Sequence, residues 1–275
     1  MSKIKIVSDS SSDVISLSDV SYETAPLKII TAEKQYVDNA ELDVEEMARE
    51  LLAYNGRSST SCPSPEDWIK AFGESEEIIC VTITALLSGS YNTACIAKQM
   101  YEEKKPGRKV YVLNSRSTGP EMALIIEKMR EMILAGSTFD EICSYIESYH
   151  TELLFVLSSM KNLANNGRVS KVAAKLAGVL GIRAIGKASE EGTLEMLDKV
   201  KGENKAIEAM FRYMKEMGYS GGRVNIAHCL NESAAEKMKN VILNTFPSAQ
   251  TAVYKLRGLC SFYAEKGGML VGFEA

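Results

Sequence analysis

The groups in this sequence whose types and spacing could do chemistry are hydroxyls. Ser88-Gly89-Ser90 is a small polar turn between an apolar, β-rich run, Ile78 to Ile83, and a helical segment, Thr93 to Lys98. A strand that ends in such a turn and feeds a helix leaves free backbone N–H groups, where the helix dipole adds partial positive charge. Such a turn is a seat for an anion, and Ser88 and Ser90 can each donate a hydroxyl hydrogen bond to it. The plainer reading is that one serine caps the helix, and the turn taken alone favours that reading. Thr60 and Ser61 precede Cys62-Pro63-Ser64-Pro65-Glu66-Asp67. Pro63 forces Cys62 to be extended, and Ser64 with Pro65 and two acids starts a helix. Thr60 and Ser61 therefore sit in a rigid polar loop, which gives a hydroxyl a defined direction; turn chemistry alone is the alternative. Ser8 to Val14 is a third hydroxyl-dense turn, for which an N-cap and a ligand-facing loop are equally open.

Other chemistries find little support. Ser88 lacks the preceding glycine of a GxSxG elbow, and the two histidines, His150 and His228, have no diagnostic flanks, so an acyl-ester hydrolase or other small-molecule enzyme using Ser88 is the lesser alternative. His150 and His228 read as structural. No catalytic residue is assigned. No GxGxxG or GxxxxGK[ST] pattern follows a strand. The six cysteines, 62, 80, 95, 143, 229 and 260, form no CxxC pair. A zinc site is therefore not expected, no metal or cofactor is implied, and a reduced, cytoplasmic setting fits. Net charge is −4 with a pI near 5.5, which argues against nucleic acid as a partner. No apolar run approaches the ~20 residues of a membrane span, and the N-terminus reads as a first strand rather than a signal peptide.

The elements that must position these hydroxyls alternate at first. Strands are expected at Lys3–Val7, Pro26–Ile30, Ile78–Ile83 and 109–113. Helices are expected at Leu42–Tyr54 (capped by Asp43), from Ser64, from Thr93, from Pro120 to Gly136, and from Thr138 (a capping box with Glu141) to Tyr149. That alternation implies a mostly parallel sheet with helices on both faces, and ligands in such sheets lie beyond the carboxyl ends of the strands. Ser10, Ser88 and Ser115 all follow strand ends and so could share one rim. After about residue 150 the pattern changes. Strands at Leu153–Ser158, a hairpin of Ile182–Ile185 and Thr193–Leu197 around Glu190-Glu191-Gly192, and strands at Arg223–His228, Gln250–Leu256 and Met269–Phe273 mix with helices at Lys171–Leu180, Glu203–Met217 and Ser233–Thr245. The reading is α/β in two domains: 1–150 as a mostly parallel sheet flanked by helices, and 151–275 as an α+β domain.

Five segments together resemble the DegV family over nearly the whole chain. They are Asp9-Ser10-Ser11-Ser12-Asp13, Thr60-Ser61-Cys62-Pro63-Ser64-Pro65 (similar to TSQPSP), Leu87-Ser88-Gly89-Ser90-Tyr91-Asn92 (similar to LSGTY), Asn166-Gly167-Arg168-Val169-Ser170 (similar to GGRIS), and Glu191-Gly192. The resemblance implies non-catalytic binding of a long-chain fatty acid between two domains, with the carboxylate on Thr60 and Ser88. It places Arg168 near the head group or a partner surface, and Ser61, Gly89 and Ser10, in the same polar turns, are further candidate ligand-binding residues. It also implies a fatty acid kinase as a partner that phosphorylates the carboxylate. Where the family often carries HxGPG, this chain has Ala264-Glu265-Lys266-Gly267-Gly268 and lacks the histidine.

Elementary energetics admit such a ligand. A buried carboxylate must be hydrogen-bonded, and each bond to a charged group contributes roughly 1.5–3 kcal/mol. About 14 buried methylenes at ~0.8 kcal/mol each add on the order of 11 kcal/mol. Association costs several kcal/mol of this, leaving micromolar or tighter binding, about −8 kcal/mol or below.

Overall fold

The computed structural model describes residues 3–170 and 181–275; the helix expected at Lys171–Leu180 lies outside the described residues. The first half contains β1 (Ile4–Asp9), β2 (Ser21–Ala25), β3 (Lys28–Ile30), β4 (Gln35–Val37), α1 (Val44–Ala53), β5 (Ser59–Ser61), α2 (Pro65–Phe72), β6 (Glu77–Thr82), α3 (Ser90–Lys104), β7 (Lys109–Asn114), α4 (Pro120–Leu134) and α5 (Phe139–Glu147). The second contains β8 (Thr151–Leu157), α6 (Lys161–Asn165), β9 (Ile182–Ala188), β10 (Leu194–Lys201), α7 (Glu203–Glu216), β11 (Arg223–His228), α8 (Glu232–Thr245), β12 (Gln250–Lys255), α9 (Gly258–Ala264) and β13 (Met269–Glu274).

Strands β2-β1-β6-β7 form a wholly parallel sheet. Its two-residue period divides the core, since successive side chains on a strand point to opposite faces. Ile4, Ile6, Ile79 and Val81 pack with Met122, Ile126 and Ile142 of α4 and α5. Val7, Ile78 and Cys80 pack with Trp68, Phe72 and Ala97 of α2 and α3 on the other face. The caps read from the sequence are present. Asp43 accepts from the Glu46 N–H at 2.9 Å, and Ser64–Asp67 and Thr138–Glu141 form capping boxes.

The second sheet, β10-β9-β8-β13-β11-β12, is antiparallel except at β11–β12. One face carries Leu154, Val156, Val224, Ile226, Val271 and Phe273 against α7 and α8. The other carries Leu153, Phe155, Leu157 and Leu270. Helix α4 packs on β1 of the first sheet and on β8, β11 and β13 of the second, so it is wedged between the two. The close approach is made possible by Gly272, where a Cβ would lie 2.4 Å from the Glu121 nitrogen and 2.6 Å from the Pro120 carbonyl carbon. Gly272→Ala is therefore expected to lower stability by about 1–3 kcal/mol, as overpacking against a backbone that cannot yield, measured as a fall in the urea midpoint.

Strand β5 is a difference from the rigid loop expected at Thr60 and Ser61. Ser-Thr-Ser has no apolar alternation, yet it pairs antiparallel with β3 (Thr60 opposite Ile29) in a small sheet of order β4-β3-β5. The hairpin strands β9 and β10 run longer than expected, and β2, α6 and α9 have no counterpart in the sequence reading. Helix α3 begins at Ser90 rather than Thr93, with Gly89 at its N-cap and no side-chain cap bond. The described cysteines are free thiols. Among the described residues no helix is long and apolar enough to cross a membrane.

Candidate functional site

The inner face of the second sheet and the strand-end loops of the first enclose a pocket of about 690 Å³ including its open mouth, within the roughly 300–1,000 Å³ usual for small-molecule sites. Its walls are apolar: Leu153, Phe155 and Leu157 of β8, Leu194, Leu270, Leu163 of α6, and Leu27, Ile83 and Leu87 from the first half. The polar lining is sparse, consisting of Thr60, Ser88, Thr118, Arg168 and the hydroxyl of Tyr263.

The structure thus brings three of the expected residues, Thr60, Ser88 and Arg168, to one pocket. Ser88 and Arg168 also line a polar hollow just outside it, together with Gly89, so they stand at the mouth. The Arg168 Nε donates to the Leu87 carbonyl at 3.1 Å, and its guanidinium also donates to the Asn166 carbonyl. It therefore ties the turn after α6 to the Ser88 loop. Ser61 and Ser10 do not line the pocket. The Ser10 hydroxyl accepts from the Leu27 N–H at 3.0 Å and borders a separate polar hollow beside Asp38. Ser115 bonds within its own loop, donating to the Ser117 carbonyl.

Hydrogen-bond direction separates the two serines of the turn. The Ser90 hydroxyl, fully buried, donates to Asp9 Oδ2 at 2.6 Å, so its proton is committed. The Ser88 hydroxyl accepts from the Ser90 N–H at 3.3 Å, which leaves its own proton free to donate. The Thr60 hydroxyl lies 2.7 Å from the Tyr263 hydroxyl. Either hydroxyl can be the donor; with tyrosine as donor, the threonine proton is left for a ligand. Burial pushes the Tyr263 phenol up, opposed by Thr60 and by the charge of Arg168.

Tyr263, Cys260 and Leu259 lie on α9, which the sequence does not signal. Its cap is remote: Asp38 accepts from the Gly258 and Leu259 N–H groups, both at 2.8 Å, across more than two hundred residues. Burial, with Asp13 adding to it, holds the Cys260 thiol well above its ordinary range, so it stays protonated and unreactive. It donates to the Ser11 carbonyl at 3.3 Å. Neither histidine lines the pocket. His228 is buried with its pKa lowered by desolvation, and its Nδ1 accepts from the Asn231 N–H. Among the described residues no group of three His, Cys, Asp or Glu is placed to hold a metal ion.

The mouth is also shaped by the β9–β10 hairpin. Its tip reaches the first half at Gly192, where φ is +90° and a Cβ would fall 2.3 Å from Thr84 Oγ1 and 2.9 Å from the Arg116 backbone. Only glycine permits that approach.

A parallel sheet joined to a mixed sheet thus holds between them an apolar pocket whose few polar groups include the Thr60 and Ser88 hydroxyls. The family model described as "Uncharacterised protein, DegV family" matches residues 3–275, and the chain belongs to the DegV family. A DegV domain-containing protein of Streptococcus pneumoniae is 41% identical over 276 residues, covering 98% of each chain. A solved DegV family protein from Eubacterium eligens, loaded with heptadecanoic acid, superposes with a TM-score of 0.97 at 42% identity over 99% of both chains. The Streptococcus pneumoniae Fatty Acid Kinase (Fak) B3 protein, loaded with linoleic acid, gives a TM-score of 0.96 at 41% identity over 98% of this chain and 99% of that one.

Proposed function

We propose that this protein binds a long-chain fatty acid between two units, 1–150 and 151–275, and presents its head group to a fatty acid kinase in the cytoplasm. The carboxylate takes the protons of Thr60 and Ser88, and Arg168 supplies positive charge at the mouth. The tail runs inward along Leu153, Phe155, Leu157 and Leu270. The observation that carries this reading is that two hydroxyls, Thr60 from β5 and Ser88 from the β6–α3 turn, line one pocket whose other walls are mainly apolar, eight leucines among them. Apolar walls give affinity and a few placed polar groups give orientation. The ligands of the two relatives support the chemical class, and the kinase name of one supports the partner.

The test is native mass spectrometry of the purified protein followed by lipid extraction. A bound mass that leaves on denaturation and is recovered as free fatty acid is expected. An unliganded protein that also fails to take up added heptadecanoic acid would overturn the reading. An esterase assay with acyl esters is expected to stay silent.

A further inference from the structure

Asp9 does not line the pocket, yet it is bonded to both ends of the segment that carries Ser88. It ends β1, is fully buried, and accepts four hydrogen bonds. Oδ1 takes the Ser11 N–H at 3.2 Å and the Ser11 hydroxyl. Oδ2 takes the Ile83 N–H at 2.9 Å and the Ser90 hydroxyl at 2.6 Å. These donors come from three places: the turn after β1, the chain just past β6, and the first residue of α3. Ile83 and Ser88 both line the pocket, and the segment between them is the turn that carries the free Ser88 proton. Asp9 therefore fixes that turn at its two ends, at Ile83 and at Ser90. It also holds the Ser90 proton, so that the Ser90 N–H to Ser88 Oγ bond sets the direction of Ser88.

We infer that Asp9 is the positioning residue of the acid-binding end: it acts through Ile83 and Ser90 to hold the Ser88 hydroxyl in line for a ligand carboxylate, and so sets the preference for an acid over a neutral head group. This rests on the fatty-acid reading above. The role needs a carboxylate. Each Asp9 oxygen accepts from a backbone N–H, which cannot turn round, so an asparagine at position 9 would set its amide NH2 against one of them in either orientation.

The experiment compares heptadecanoic acid with heptadecan-1-ol, equal in chain length, by displacement of a fluorescent probe from the full chain. Wild type is expected to favour the acid. Asp9→Asn is expected to lose about tenfold or more in acid affinity, the scale of one hydrogen bond to a charged group, with the alcohol much less affected. Ser90→Ala, which deletes only one of the four donors and keeps Asp9, is expected to shift the acid-to-alcohol ratio the same way by a smaller factor, and it decides the matter if Asp9→Asn does not fold. An equal loss for acid and alcohol in either folded variant would reduce Asp9 to a structural residue and overturn the inference while leaving the pocket's function intact. A wild type that binds neither, or does not distinguish them, would overturn the fatty-acid reading itself and the inference with it.

Discussion

Asp13→Asn is expected to make the protein more stable above pH 8 by a few kcal/mol while leaving it nearly unchanged at pH 4. Asp13 closes the turn after β1 in the left-handed region, φ 61°, where asparagine is as well tolerated as aspartate. Its Oδ1 accepts from the Arg257 N–H at 2.8 Å. Its Oδ2 is buried with no hydrogen-bond partner; the neighbouring Cys260 proton goes to the Ser11 carbonyl. Burial pushes the carboxyl up to about 8 and nearby Asp38 adds to the rise, against the pull of the Arg257 N–H and weaker pulls from the Cys260 thiol and the Arg257 charge.

Between an unfolded value near 4 and the folded value near 8, the folded chain holds a proton that the unfolded chain has released. Stability therefore falls as pH rises through that window. At about 1.4 kcal/mol per unit the limit is on the order of 5 kcal/mol. Asparagine keeps the Oδ1 acceptor and puts a neutral group where Oδ2 had no donor. The amide N–H stands where the protonated acid carries its O–H, so the variant matches wild type at pH 4 and gains only as that proton is lost. The net gain is read as the difference in urea midpoints between variant and wild type at pH 4 and pH 8.5. Glu121, buried and raised to about 7, tilts both proteins in the same direction and cancels in that difference. A variant less stable than wild type at pH 8.5 would refute a neutral-favouring site. The contrast with Asp9 is instructive. Both are buried acids of one motif, but Asp9 has a donor for every lone pair it uses and Asp13 has an oxygen left over. Asparagine is expected to damage the first position and help the second.

Strands β1, β6 and β7 of the parallel sheet were legible because they are short apolar runs and the helix caps between them are local signals, whereas its edge strand β2, Ser21-Tyr22-Glu23-Thr24-Ala25, is not an apolar run and was not. Asp43, Ser64 and Thr138 announce their helices within four residues. The long hairpin was legible as an element but not in length, because Lys187, Asp198, Lys199 and Lys201 dilute the apolar run beyond its expected ends. Helix α9 was not legible, since its cap, Asp38, comes from the far end of the chain, and with it went Tyr263, the partner of Thr60. Strand β5 was hidden for a related reason: a Ser-Thr-Ser stretch becomes a strand only because β3 supplies the ladder. In the candidate site the turn at Ser88 could be read, but not which serine keeps its proton. That depends on Asp9, eighty residues away, whose role as acceptor only the fold reveals.

Thr60→Ala and Ser88→Ala are each expected to weaken fatty-acid binding by roughly 1.5–3 kcal/mol, about ten- to more than a hundredfold, and the double variant by less than the sum. The two hydroxyls reach the pocket from different elements, β5 and the β6–α3 turn, yet they are proposed to serve one carboxylate. Removing either leaves that group with the other hydroxyl and Arg168, free to shift toward them. Once one bond is gone the geometry that made the second strong is partly lost, so the two losses overlap, as expected for groups sharing one partner. The tail bounds the damage. Methylenes buried against Leu153, Phe155 and Leu157 keep their ~0.8 kcal/mol each, so the double variant still binds, with its preference for acid over alcohol reduced. Displacement of a fluorescent fatty acid across the four proteins measures the coupling directly. Full additivity would place the two hydroxyls on separate groups, and a negligible effect of both would move the head group to another end of the pocket.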